Sequence, residues 1–202
     1  GIHMSTEFAN AYPRKSFFIE MFTRDISLPD CMLDLIDNSV DALVRTQGID
    51  LLENLLSTTT PLTESQASRL PRVKVTYSPT HFAIDDNCGG IPKEEARSEV
   101  FNFGHSPGYQ FPGQRGQLGA YGIGLKRAIF KLGTRFEMTS RTSKSGFHID
   151  LDLKEWAERD AALDDWRIPY ETVDGAERDQ GTRISVKQLR DEVKTAMDDG
   201  TF

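Results

Sequence analysis

Residues 31–45 read CMLDLIDNSVDALVR, and the rest of the chain is organised around this stretch. At about 100° per residue, a helix here gathers four polar side chains within an arc of roughly 100°. These side chains are Asp34, Asp37, Asn38 and Asp41. Apolar side chains fill most of the remaining circumference, so the pattern predicts a helix that is buried except along one oxygen-rich stripe.

The stripe contains three acids and one amide, with no lysine or arginine among them. Neighbouring carboxylates repel one another, and a bound cation relieves that repulsion. Carboxylate and amide oxygens suit Mg²⁺, which commonly takes one or two protein oxygens and completes its shell with phosphates and water. The helix alone leaves two interpretations open: a site for a metal ion or ligand, and an ordinary solvated face.

Composition places the 202-residue chain among soluble globular proteins, with 38% hydrophobic and 27% charged residues. No apolar run has the length of a membrane span, and the two cysteines give no disulfide framework, so a cytoplasmic location is expected. A net charge of −7 argues against a nucleic-acid footprint. Residues 1–13 are interpreted as a tag remnant and an N-terminal arm, and residues 14–202 as one domain.

Periodicity along the chain predicts an alternation of helices and strands around two irregular segments. The predicted helices cover 15–26, 29–47, 51–56, a short stretch from Lys93, a stretch ending near Lys131, and 187–197. The predicted strands cover 73–77, 81–84, 135–139, 147–153 and 183–186. Residues 101–118 are rich in glycine and proline, and residues 154–180 form an acidic insertion with a helix near its start.

A second motif follows the strand that ends at Ile84 and reads Asp86-Asn-Cys-Gly-Gly90. The two glycines let the backbone turn tightly and approach a ligand closely. An acid at such a turn can accept a hydrogen bond from an exocyclic amine such as that of adenine. An ordinary Asp-Asn-Gly turn is the alternative interpretation.

A third motif, Gly119-Ala-Tyr-Gly-Ile-Gly124, leads directly into a predicted helix. Glycines in this position expose backbone N–H groups to an anion at the helix N-terminus, and Lys126 adds a positive charge one turn later. The stretch is not a Walker-type loop, because Leu125 and Arg127 flank the lysine. A flexible hinge is the alternative. Gly181-Thr182, which opens a late strand, carries no signal by itself.

In this order, the four stretches resemble the GHKL superfamily of gyrase-type topoisomerases, heat-shock chaperones, histidine kinases and MutL. Residues 34–42 are similar to its N-box, residues 86–90 to its adenine-reading box, residues 119–124 to its phosphate box and residues 181–182 to its last box. The resemblance covers about residues 27–186. The sequence after Asn38 is more similar to the MutL, chaperone and microrchidia branches than to histidine kinases. The stretch 101–106 and Lys126 are most similar to the microrchidia-like branch.

The resemblance implies an α/β fold, a two-layer Bergerat-type sandwich with a mixed, mostly antiparallel sheet and helices on one face. It implies an ATPase domain that binds ATP with Mg²⁺, with a lid at about residues 101–118. Slow hydrolysis would drive lid closure and conformational change in the downstream domains of a larger protein, and the family admits ATP-dependent homodimers.

By the same resemblance, Asp34 is the catalytic residue and Asn38 the Mg²⁺ ligand. The nucleotide-binding residues that the resemblance implies are Asn38, Asp41, Asp86, Gly90, Ile91, Gly119, Tyr121, Gly122, Ile123, Gly124, Leu125, Lys126 and Thr182. Two residues depart from the family pattern. Asp34 stands where hydrolytic members usually have the longer glutamate, and Cys88 replaces the first glycine of the adenine box. A non-hydrolysing nucleotide sensor is one alternative. A histidine-kinase-like phosphotransferase is another, although the Asp34 carboxylate argues against it.

Overall fold

The computed structural model describes residues 6–7, 9, 11, 13–101, 123–159 and 166–200, with only the backbone of residues 98 and 99. Most of the predicted N-terminal arm, residues 1–13, lies outside the described residues, as does the predicted lid after Phe101. No helix within the described ranges combines the length and the apolar character that crossing a membrane requires.

The helices of the described chain lie mainly before the first strand and after the predicted lid. They are α1 (Lys15–Thr23), α2 (Leu28–Gln47), α3 (Ile49–Ser57), α4 (Glu64–Ala67), α5 (Lys93–Glu95), α6 (Ile123–Leu132), α7 (Leu153–Glu158) and α8 (Asp191–Asp198). A π-helical turn, Ala96–Val100, continues α5. The central helix α2 begins where the sequence predicts, because the Ser27 hydroxyl accepts from the Asp30 N–H and Pro29 lies in the first turn.

Six strands form one sheet in the described part of the chain, and every strand pair is antiparallel. The strands are β1 (Val73–Ser78), β2 (His81–Asp86), β3 (Gly133–Arg141), β4 (Ser145–Asp152), β5 (Glu171–Asp174) and β6 (Gly181–Leu189). Their spatial order is β1-β2-β6-β3-β4-β5. The last strand of the chain therefore lies in the middle of the sheet, and Arg183 pairs with Asp85 at the end of β2.

The two faces of the sheet differ in chemistry, because side chains alternate along each strand. One face carries the core and is covered by helices; its buried side chains include Phe82, Ile84, Phe136, Met138, Ile184 and Val186. The other face carries ion pairs, including Arg135 with Asp150 at 2.9 Å and Arg183 with Asp85 at 3.3 Å. The predicted two-layer α/β sandwich with helices on one face is confirmed.

Some element boundaries differ from the predictions. The predicted closing helix over 187–197 begins too early, because residues 187–189 continue β6, where Lys187 pairs with Arg135 and Leu189 with Gly133. Backbone pairing in a central strand outweighs the local helical pattern there. The sequence interpretation also missed β5, a short edge strand inside the acidic insertion, and the four-residue helix α4.

Candidate nucleotide-binding site

A buried carboxylate at the end of β2 joins the helix layer to the sheet. Asp86 is 8% exposed, and its Oδ2 accepts from the Ser39 hydroxyl on α2 at 2.7 Å. Its Oδ1 accepts from the backbone N–H groups of Cys88, at 2.9 Å, and Thr182, at 3.2 Å. Because an ionised carboxylate offers about four acceptor positions, Oδ2 retains the capacity for one further donor.

Burial raises the pKa of the Asp86 carboxyl above its ordinary value. The N–H of Cys88, the Ser39 hydroxyl and the N–H of Thr182 act in the opposite direction, because each donates to the charged form. The three donors thus supply much of the polar environment that the carboxylate loses on leaving water.

Two glycines of the predicted boxes are explained by close backbone approach. A Cβ at Gly181 would overlap the carbonyl oxygen of Asp86 on the neighbouring strand. Gly90 has φ of +73°, and a Cβ there would overlap the carbonyl oxygen of Arg141. Gly181-Thr182 carried no signal in the sequence alone. In the structure, the absence of a side chain at Gly181 lets β6 lie directly beside the end of β2.

A second hydrogen-bonded group fixes the turn after Gly90. The N–H of Ile91 donates to Ser140 Oγ at 2.7 Å, and Ser140 Oγ shares a hydrogen bond of 2.8 Å with Thr182 Oγ1. Ser140 and Thr182 are both buried. The predicted residues Asp86, Ile91 and Thr182 thus lie in one polar network, which also includes Ser140, a residue that the sequence interpretation missed.

Cys88 sits in this turn without backbone strain. Within the described chain, the non-glycine residues with positive φ are Asp179 and Gln188, and Cys88 is not among them. A non-glycine residue is therefore compatible with the backbone at position 88. Its side chain is 2% exposed and packs with Ala42 and Leu43 of α2. Burial raises the pKa of the Cys88 thiol to about 11, which keeps it neutral.

The polar stripe of α2 is less exposed than its sequence predicts. Asp41 is only 6% exposed, whereas Leu33, predicted to be buried, is 57% exposed. Asp34 and Asn38 are half-buried. The reason is tertiary, because α6 and α3 pack against α2 and cover part of the surface that an isolated amphipathic helix would show to water.

The start of α6 lies directly against Asp34. A Cβ built at Gly124 would lie 3.0 Å from the carboxyl carbon of Asp34. One turn later in α6, Nη2 of Arg127 lies 3.8 Å from Oδ2 of Asp34. The stripe itself contains no basic residue, but Arg127 of α6 places a positive charge beside Asp34. The negative charge of the stripe is therefore partly balanced.

The environment of Asp34 raises its pKa above the ordinary value. Burial is the largest cause, and the neighbouring carboxylates Asp37 and Asp30 act in the same direction. Arg127 opposes them, since its positive charge favours the ionised carboxylate. A carboxyl group with a raised pKa is a better proton acceptor than an exposed aspartate.

The remaining predicted phosphate-side residues are placed only in part. Ile123 and Gly124 begin α6, Leu125 is 3% exposed, and Lys126 is fully buried. Gly119, Tyr121 and Gly122 lie outside the described residues.

No group of three histidine, cysteine or acidic side chains within the described ranges is arranged to hold a metal ion. The side-chain oxygen of Asn38, one turn from Asp34, is a ligand of the kind that Mg²⁺ takes beside phosphates.

The layered α/β fold thus carries the buried Asp86 beside Thr182 and a helix that starts against Asp34. Residues 26–182 match the family model described as histidine kinase-, DNA gyrase B-, and HSP90-like ATPase. The chain belongs to this family, which confirms the GHKL resemblance and indicates an ATP-binding domain of ATPase type. A comparison with curated proteins finds no significant match.

Proposed function

We propose that this domain binds ATP together with Mg²⁺ and hydrolyses it slowly, and that lid closure transmits the change to attached domains. One observation carries the adenine end of this proposal. Asp86 is buried, is held by three donors and retains one acceptor position on Oδ2. An exocyclic amine fills that position, whereas a carbonyl, which guanine presents instead, leaves the carboxylate facing another acceptor.

The residues around Asp86 complete the adenine end. Thr182 contributes its N–H to the carboxylate and its hydroxyl to Ser140. Gly90 and Ile91 form the turn that borders the same carboxylate, and Asp41 lies buried on α2. These contacts hold the site in shape before the nucleotide arrives, which lowers the entropy cost of binding.

The phosphates would lie at the N-terminus of α6, where the positive end of the helix dipole favours an anion. Gly124 brings this helix start directly against Asp34. Gly119, Tyr121, Gly122, Ile123, Leu125 and Lys126 belong to this end by family resemblance. Asn38 would hold Mg²⁺, which neutralises charge on the phosphates. Asp34 would accept the proton of the attacking water, since it faces the same helix start.

The wider setting follows from the family and from the chemistry of the chain. Both cysteines are free and buried, which suits the reducing cytoplasm. The proposed partners are ATP, a second copy of the domain when ATP is bound, and downstream domains of a longer protein. We propose neither a membrane nor a nucleic-acid surface for this domain.

One specific observation favours a second candidate, a non-hydrolysing nucleotide sensor. Asp34 is one methylene shorter than the glutamate of hydrolytic relatives, which sets its carboxylate back from the attacking water. In that case the domain binds ATP tightly without turnover. A histidine-kinase-like phosphotransferase remains the further alternative, and it would transfer label from γ-labelled ATP to protein.

Titration calorimetry with ATP and GTP tests the adenine end of the proposal. We expect the wild type to prefer ATP, and Asp86→Asn to weaken ATP binding by about 10- to 100-fold, the size of a hydrogen bond to a charged group. Asp85→Asn is the matched control, because Asp85 neighbours Asp86 but faces Arg183 on the other side of the sheet. Equal affinity for ATP and GTP in the wild type would remove Asp86 from this role.

A further inference from the structure

Arg127 and Asp34 approach each other without forming a hydrogen bond. The separation of Nη2 and Oδ2, 3.8 Å, is too long for a hydrogen bond. Oδ2 of Asp34 and Nε of Arg127 are both buried, and neither has a hydrogen-bond partner among the residues that the structure describes. Within that part of the chain, the pair therefore presents one unsatisfied acceptor and one unsatisfied donor.

The position of Arg127 along α6 brings it to the nucleotide end of the helix. Gly124 and Arg127 are three residues apart, so they share the face of α6 that is turned toward α2. Gly124 packs against the carboxyl group of Asp34. The carboxylate, the start of the helix and the guanidinium group consequently converge within one helical turn.

Stability alone does not explain this arrangement. The side chains of Arg127 and Asp34 are 39% and 27% exposed, and ion pairs with this much exposure contribute little to stability. Leaving a buried donor or acceptor unpaired costs more than such a pair contributes. The pair is better explained by reactants that supply what is missing. A water molecule can donate to Oδ2, and a phosphate oxygen can accept from Nε.

We infer that Arg127 is a catalytic residue of the ATPase reaction, donating to an oxygen of the terminal phosphate while Asp34 accepts from the attacking water. This inference rests on the proposed function and adds a residue to it. A guanidinium group suits the role, because its fixed planar donors match the geometry of phosphate oxygens.

The step balances as the hydrolysis of a phosphoanhydride bond. The water oxygen forms a bond to the terminal phosphorus, and the bond from that phosphorus to the bridging oxygen breaks, with its electron pair leaving on ADP. One water proton passes to the Asp34 carboxylate and then to solvent. Arg127 transfers no atom, and its charge stabilises the negative charge that spreads over the terminal phosphate oxygens.

Single-turnover hydrolysis at saturating Mg²⁺-ATP tests the inference with Arg127→Gln, Arg127→Lys and Arg135→Gln. Arg135 is the matched control, because it is 40% exposed and pairs with a carboxylate, Asp150, on the opposite face of the sheet. We expect Arg127→Gln to lower the rate by about 100-fold or more, as for arginines that act on a transferring phosphate. Its ATP affinity should change only a few-fold, Arg127→Lys should recover part of the rate, and Arg135→Gln should match the wild type.

Three outcomes would overturn the role of Arg127. One is a rate within about twofold of the wild type for Arg127→Gln. Another is an equal loss in the Gln and Lys variants with a matching fall in melting temperature, which indicates a structural role. The third is ATP binding without turnover in the wild type. Failure of the nucleotide proposal itself looks different, because the wild type would then give no ATP-selective signal in calorimetry.

Discussion

The Ser39 hydroxyl on α2 donates a 2.7 Å hydrogen bond to Oδ2 of Asp86 at the end of β2, across 47 residues of sequence. Both groups are buried. The helix layer therefore positions the carboxylate that the sheet carries, and the two halves of the candidate site form one unit. A change on α2 should consequently be felt at the adenine end as well as at the phosphate end.

Ser39→Ala tests this link. The change removes one donor from a buried carboxylate, which costs about 1–3 kcal/mol, so ATP affinity should fall by roughly tenfold or more. Calorimetry measures the effect, with Ser57→Ala at the exposed end of α3 as the control. Affinities that are the same for wild type and Ser39→Ala would show that the hydroxyl does not position Asp86.

A pair of glycine substitutions tests the packing of the turn that follows Asp86. Gly90 and Gly48 have φ of +73° and +85°, but only Gly90 has a backbone carbonyl, that of Arg141, where a Cβ would lie. Gly48→Ala should cost about 1 kcal/mol, and Gly90→Ala several times more. Thermal unfolding measures both, with melting temperature falling by about 2–4 °C per kcal/mol. Equal shifts would contradict the close approach.

Asn38→Ala tests the Mg²⁺ ligand through binding alone. The wild type should bind ATP more tightly with Mg²⁺ than with a chelator, and the variant should lose most of that gain, on the order of tenfold. Affinity in the chelator should stay the same, because the fold and the adenine contacts are untouched. Asn54→Ala on the exposed side of α3 is the control. A full Mg²⁺ effect in Asn38→Ala would exclude this ligand.

The raised pKa of Asp34 predicts the pH dependence of hydrolysis. A base must be ionised, so activity is present above its folded-state pKa and is lost as pH falls through that value. Because burial raises this pKa, the hydrolysis rate should fall on the acid side at a pH above the ordinary aspartate pKa of about 3.9. Asp37→Asn removes a carboxylate that raises the pKa of Asp34, so the fall in rate should move to lower pH. Single-turnover rates measured across pH for both proteins test this, and a pH–rate profile unmoved by Asp37→Asn would contradict the assignment of Asp34 as the base.

Local signals were enough to predict most elements. The apolar spacing and the Ser27 cap predicted α2, and period-two alternation predicted the hairpin of β1 and β2. The order of the four motifs predicted the family. These features are encoded within a few residues, so a single sequence can show them.

The contacts that build the site could not be predicted in the same way. Ser39 and Ser140 resemble any polar residue in a helix or strand until the sheet brings Asp86 and Thr182 beside them. Arg127 was recognised only as a neighbour of Lys126, since its approach to Asp34 depends on how α6 packs on α2. One local signal was available for Ser39. It lies four residues after Leu35 and eight after Cys31, on the buried side of α2, where a hydroxyl needs a partner.

The most direct test of the account is single-turnover hydrolysis by wild type, Asp34→Asn and Asp37→Asn at neutral pH and saturating Mg²⁺-ATP. Asparagine keeps the shape of the side chain and removes the base, so Asp34→Asn should bind ATP and lose about 100-fold or more in rate, whereas Asp37→Asn should hydrolyse ATP like the wild type. Equal rates for wild type and Asp34→Asn would contradict the account, and a wild type that binds ATP without turnover would make it a nucleotide sensor.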